Sequence, residues 1–173
     1  GEDLGLPQSD VPFEKLQDPE GITNWPETLG RDGCRTPMPW AHDLPNAGFS
    51  TAAGPWLPAD PVQAAMAVDL QQNDPESNLN YFRELIRIRK DSPALKYGDF
   101  NLLDAAEDLL AFTRSTPGET VYAVFNLSNE TVKWQSADAA MLFIMASAGF
   151  DSKIDQVPNS LPAFSGYVAR TFR

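Results

Sequence analysis

The sequence predicts a mixed α and β chain: long irregular connections first, then one amphipathic helix, then an antiparallel β-sandwich. Three observations carry this reading. Ten of the fifteen prolines fall by position 61, in a stretch with neither a helical nor a strand period. One apolar stripe at helical spacing runs from Leu79 to Ile88. From Gly98 onward, short β-branched or aromatic runs alternate with turn residues, and no internal repeat or low-complexity segment interrupts them.

Residues 1–73 read as connections broken by proline-rich turns such as NWPETLG and LPNAGFS. So long a structureless segment is expected only where it is functional or supported by something else. In DPESNLNYFRELIRIRKDSPAL, Asp74 suits an N-cap, Pro75 the first helical position and Glu76 the positive end of the helix dipole. Leu79, Phe82, Leu85 and Ile86 form the apolar stripe, widened by Tyr81 and Ile88. Arg87, Arg89 and Lys90 crowd the last turn, and Pro93 stops the helix. The strands are read in DLLAFTRS, TVYAVFNLS, TVKWQS, AMLFIMAS and GYVARTFR, with TPGE and SNE as turns. Phe112, Tyr122 and Phe125 read as strand core.

Composition narrows the function. A hydrophobic fraction of 42% with 10% aromatics is that of a folded chain. A formal net charge of −11 repels nucleic acid and anionic lipid, so the partner classes left are a neutral ligand and a protein surface. No run of about 18 apolar residues is present, so no membrane span is expected. The opening GEDLGLPQSD has no basic or apolar signal-peptide region and no initiator methionine, which hints at a cut fragment. A single cysteine fits a reducing, cytoplasmic location. Cys34 and His42 match no zinc spacing, so no metal is expected, and His42 in WAHDLPN reads as a solvated loop histidine. GRDG lacks the spacing and the Lys-Ser/Thr of a phosphate loop.

The most unusual segment is GRDGCRTPMPW, residues 30–40. Arg31 and Arg35 lie four apart, Gly33 permits a tight turn between them, and Pro37 and Pro39 stiffen the chain beyond the second arginine. Arginine's rigid fork suits sugar hydroxyls and equally suits holding carboxylates in place. Composition alone favours the plainer alternative, in which Arg31 and Asp32 form local ion pairs while Cys34, Met38 and Trp40 pack.

The order of motifs adds to this. GRDGCRTPMPW, followed by NAGFS and PWLP, resembles the segment after the last barrel strand in α-glucosidases of the α-amylase superfamily (glycoside hydrolase family 13). GEDLGLP is similar to that family's Gly-x-Glu motif at the eighth strand, and DVPFEKLQDPEGITNWPE to the loop behind it. NYFRELIRIRKDSPALKYGDF resembles the eighth barrel helix and its junction with the C-terminal β-domain. The resemblance implies the last loops and helix of a (β/α)8 barrel over residues 1–97, followed by an antiparallel β-sandwich C-terminal domain over residues 98–173. It implies that Arg35 contacts the sugar in the −1 or +1 subsite, that Arg31 holds the loop or a neighbouring carboxylate beside it, and that Glu14 lines the aglycone side.

By the same resemblance Glu2 is structural and buried at the barrel end, Cys34 packs, and Trp40 wedges the loop against the barrel. VQAAMAVDLQ, despite its helical propensity, is read as coil because the corresponding stretch of the family is mostly extended. No catalytic residue is expected in this chain, because the family's nucleophilic Asp, acid/base Glu and stabilising Asp sit on earlier strands, and a whole barrel needs about 250 residues. No cofactor is implied. The implied partners are an α-glucoside or malto-oligosaccharide substrate and the remainder of the catalytic barrel, whose base the β-domain covers. Two alternatives stand beside an α-glucosidase tail: the same region of a trehalose synthase or glucosyl-transferring isomerase, and a stand-alone carbohydrate-binding β-module.

Overall fold

The computed structural model describes residues 1–136 and 142–172. It divides into two compact units, residues 1–84 and residues 85–173. Among the described residues no helix is long and apolar enough to cross a membrane.

The first unit is built from short turns tied by side chains. Single 3-10 turns form at Glu2–Leu4, Phe13–Lys15, Asp32–Cys34 and Pro45–Gly48. Helix α1 (Pro19–Thr23) starts where Asp18 accepts from the Glu20 amide and Pro19 pre-sets the first helical φ. The same aspartate–proline device starts α2 (Pro61–Ala64), where Asp60 accepts from the Gln63 amide at 2.9 Å. Helix α3 (Val68–Gln71) comes directly after it. The coil reading of VQAAMAVDLQ is therefore corrected: a capped, alanine-rich stretch obeys its own propensity. Its second half is held by Val68 and Asp69 amides donating to the Pro39 and Trp40 carbonyls.

Helix α4 (Asn78–Asp91) begins later than the Asp74–Pro75 signal suggests. Asp74 accepts from the Glu76 amide and caps a separate turn, while the Ser77 hydroxyl accepts from the Asn80 amide at 3.2 Å. Two caps compete within four residues, and the one nearer the apolar stripe starts the helix. Leu79 and Ile88 are buried, Phe82 and Leu85 partly so, and Tyr81 and Ile86 exposed.

Pro93 ends α4 and opens α5 (Pro93–Tyr97). Ser92 Oγ accepts from the Leu95 amide at 3.1 Å and donates to Glu119 Oε2 at 2.8 Å, and Ser92 is fully buried. Ser92→Ala should cost about 1–2 kcal/mol, read as a lower denaturant midpoint with an unchanged slope.

The second unit carries strands β1 (Asp99–Leu102), β2 (Leu109–Thr116), β3 (Glu119–Asn126), β4 (Val132–Lys133), β5 (Phe143–Ala148), β6 (Ser160–Leu161) and β7 (Gly166–Phe172). Five form one sheet in the order β1-β2-β3-β7-β5, every pair antiparallel, and β4 and β6 form a second ladder. The TPGE turn closes the β2–β3 hairpin at Thr116 and Glu119. Strands β1 and β6 add to the five expected runs, and the strand within TVKWQS spans Val132–Lys133. Ala140 and Met141 of AMLFIMAS and the final Arg173 lie outside the described residues.

Strand alternation then decides the core. Ala111, Val124, Tyr167 and Ala169 face Leu142 and Leu161, with Tyr122, Trp134, Ile144 and Phe150 around them. The two-stranded ladder thus lies over one face of the five-stranded sheet, the two layers of the expected sandwich. Phe112 and Phe125 are corrected: the register places them on the opposite face, in a row with Phe100. Ring centroids along that row are 5.2 and 6.3 Å apart.

Candidate substrate-binding site

Residues 30–40 form a turn braced from beneath by two buried aspartates. Asp18 accepts from the Arg31 backbone amide at 2.8 Å, from Nε at 2.8 Å and from Nη2 at 2.7 Å. Asp32 returns the brace, its Oδ2 accepting from the Gln17 amide at 2.5 Å and the Asp18 amide at 2.7 Å. Each aspartate therefore holds the backbone of the other's segment. The paired Arg31 side chain holds the Asp18 carboxyl well below the usual carboxylate range and raises the arginine in turn. Charge-assisted bonds in this two-point geometry are the stronger class of hydrogen bond.

The backbone geometry depends on glycine at two points. Gly30 sits at φ +62°, and a Cβ there would lie 2.9 Å from the Gly21 backbone. At Gly33 a Cβ would collide with the Ser9 carbonyl oxygen, because the 8–9 segment runs hard against the turn. The Ser9 amide donates to the Gly33 carbonyl at 2.9 Å, and Ser9 Oγ donates to Asp60 at 2.6 Å. Buried Gln63 accepts from Thr36 Oγ1 at 2.6 Å and donates to the Pro7 carbonyl at 2.8 Å. The N-terminal segment, α1, the arginine turn and α2 are thus fixed to one another before any ligand arrives. Such preorganisation lowers the ordering cost of binding.

The two arginines differ sharply. Arg31 spends its fork on Asp18. Arg35 has a half-exposed side chain whose ion pair to Asp32 spans 3.8 Å, too long for a hydrogen bond. Asp32 Oδ1, buried, has no hydrogen-bond partner among the described residues. Arg35 is therefore steered by charge at its guanidinium, with its donors not spent on hydrogen bonds among the described residues.

Glu14 lies exposed in the Phe13–Lys15 turn, beside Phe13, whose ring centroid is 5.6 Å from that of Trp25. Trp40 is 52% exposed. Two residues correct their expected places. Cys34 does not pack but is exposed, because the 3-10 turn carries it outward with its Sγ 3.1 Å from the Arg31 carbonyl. Glu2 is exposed, and Leu4 is the buried member of its turn.

His42 is an exposed turn residue with a carboxylate partner. Its Nδ1 lies 2.9 Å from Asp69 Oδ2, and that hydrogen bond raises the imidazole pKa and lowers the carboxylate's. With Asp43 these groups lie within 4.8 Å of one another at the surface, and the carboxylate-paired imidazole accounts for the arrangement.

Sequence reasoning did not single out Asp18, Asp60 or Gln63. Asp18-Pro19 and Asp60-Pro61 carry a readable capping signal. Gln63 carries none.

The model of the α-amylase catalytic domain matches residues 1–98. This chain belongs to the α-amylase family. It is 40% identical over 170 residues to a probable α-glucosidase of Rhizobium meliloti, covering 98% of this chain and 30% of that protein. An oligo-1,6-glucosidase of Parageobacillus thermoglucosidasius is 33% identical over 123 residues, which is 70% of this chain and 22% of that protein. Among solved structures, the α-glucosyl transfer enzyme XgtA superposes with a TM-score of 0.79 at 37% identity, over 99% of this chain and 32% of that one. The chain thus spans about a third or less of the α-amylase family relatives it matches.

Proposed function

We propose that this chain is the substrate-loop end and the C-terminal β-domain of a retaining α-glucosidase that hydrolyses α-glucosidic bonds in small oligosaccharides. The observation that carries this is the unequal pair of arginines on a prebuilt turn: Arg31 locked onto Asp18 by two side-chain hydrogen bonds, Arg35 with its donors unspent. In this reading residues 1–97 belong to the catalytic barrel and residues 98–173 form the C-terminal β-domain. Arg35 donates to sugar hydroxyls at the −1 or +1 subsite. Arg31 lies beside it and fixes the turn, and Glu14 lines the aglycone side. Trp40 lodges against the barrel. The catalytic carboxylates come from the remainder of the barrel, and the substrate is an α-glucoside or malto-oligosaccharide. A single cysteine suits a cytoplasmic setting.

A second reading is favoured by one observation, the 37% identity to an α-glucosyl transfer enzyme. Hydrolysis and transfer share a glycosyl-enzyme intermediate and differ in whether water or a sugar hydroxyl takes it up. Incubating the intact polypeptide with maltose tests both. Net release of glucose is the expected result, and accumulation of a glucosyl-transfer product without it would move the assignment to a transferase. The 173-residue chain alone should give no turnover of p-nitrophenyl α-glucoside; measurable turnover would refute the absence of catalytic acids.

A further inference from the structure

The second unit carries a surface cavity of about 450 Å³, lined among the described residues by Lys133, Trp134, Gln135 and Asn159. Its volume is within the range of small-molecule sites. It forms where the β4–β6 ladder extends by one bond, the Trp134 amide donating to the Asn159 carbonyl at 3.0 Å. Trp134 is only partly buried, and its indole Nε1 donates to Tyr167 Oη at 2.8 Å. Tyr167 belongs to the core and is 1% exposed, so the indole is pinned from below.

The polar side chains around it are unspent. Lys133, Gln135 and Asn159 make no side-chain hydrogen bond or ion pair among the described residues. No carboxylate is among the four, in a chain of net charge −11.

We infer that this cavity is a binding site for a neutral glucan. A pinned indole offers an apolar surface to the C–H side of a pyranose ring. Two primary amides each present a donor and an acceptor, which suits vicinal hydroxyls that both give and take hydrogen bonds. Lys133 adds donors only, and the absence of a carboxylate removes any preference for a cationic ligand. The choice of an α-glucan among neutral sugars rests on the proposed function; the site's chemistry does not.

The test is affinity electrophoresis of the intact polypeptide through gels containing soluble starch, with p-nitrophenyl α-glucoside hydrolysis measured in parallel. The wild type should be retarded. The double variant Gln135→Ala, Asn159→Ala removes two exposed amides without touching the core, and should weaken retardation about tenfold while kcat/KM stays within about twofold. Trp134→Leu should abolish retardation; because it also loses the Tyr167 bond, its melting temperature is recorded alongside. Absence of retardation in the wild type, or unchanged retardation in the double variant, would overturn the assignment. Failure here leaves the hydrolysis readout intact and so is distinguishable from failure of the proposed function.

Discussion

Replacing Arg35 by alanine in the intact polypeptide lowers kcat/KM on p-nitrophenyl α-glucoside about 10- to 100-fold and leaves the melting temperature nearly unchanged. The size comes from losing charge-assisted hydrogen bonds, each worth about 1.5–3 kcal/mol. The nearly unchanged stability comes from the geometry: the ion pair to Asp32 is too long for a hydrogen bond, and 40% of the Arg35 side chain is in solvent. Arg35→Lys should recover little, because an ammonium keeps the charge but not the planar fork. Steady-state kinetics with a paired thermal melt separates this from a packing role, which would lower stability and activity together.

Asp18→Asn acts on the same turn from beneath, and lowers stability as well as activity. The carboxylate receives the Arg31 amide, both engaged Arg31 side-chain nitrogens and the Glu20 amide, and it is buried. An amide in its place offers one acceptor oxygen and turns two donor hydrogens toward a guanidinium. The expected result is a melting temperature lower by several degrees at pH 7, with kcat/KM falling as Arg35 loses its platform.

The pH dependence has a definite sign. Arg31's hydrogen bonds hold Asp18 well below its ordinary value in the folded chain. Its contribution is therefore complete above the unfolded carboxyl pKa of about 3.9, and is lost as pH falls from there toward the lower folded value. The gap in melting temperature between wild type and Asp18→Asn should narrow when scans at pH 7 and pH 3 are compared. A gap that stays constant would mean that the carboxylate's charge contributes nothing.

Local chemistry was legible in the sequence and long-range pairing was not. The α4 stripe and the β2–β3 hairpin show because periodicity and turn residues act over a few positions. The start of α4 was misplaced because Asp74 and Ser77 are both competent caps, and only the folded chain chooses. The α2–α3 segment was legible by propensity, which the family comparison overrode. On the sheet, Phe112 and Phe125 have the composition of core residues, and only the register assigns them to the other face. At the site, Arg31 and Arg35 are chemically identical in sequence. They are separated by an aspartate thirteen residues upstream of Arg31, a distance no local pattern spans. Cys34 and Glu2 show the same limit: residue type does not say which way a 3-10 turn faces its side chains.

The most direct measurement is a crystal structure of the intact polypeptide with glucose bound. The account predicts the Arg35 guanidinium within about 3.2 Å of a sugar hydroxyl, with Arg31 still on Asp18. Glucose seated in a barrel pocket with Arg35 beyond hydrogen-bond reach would contradict it.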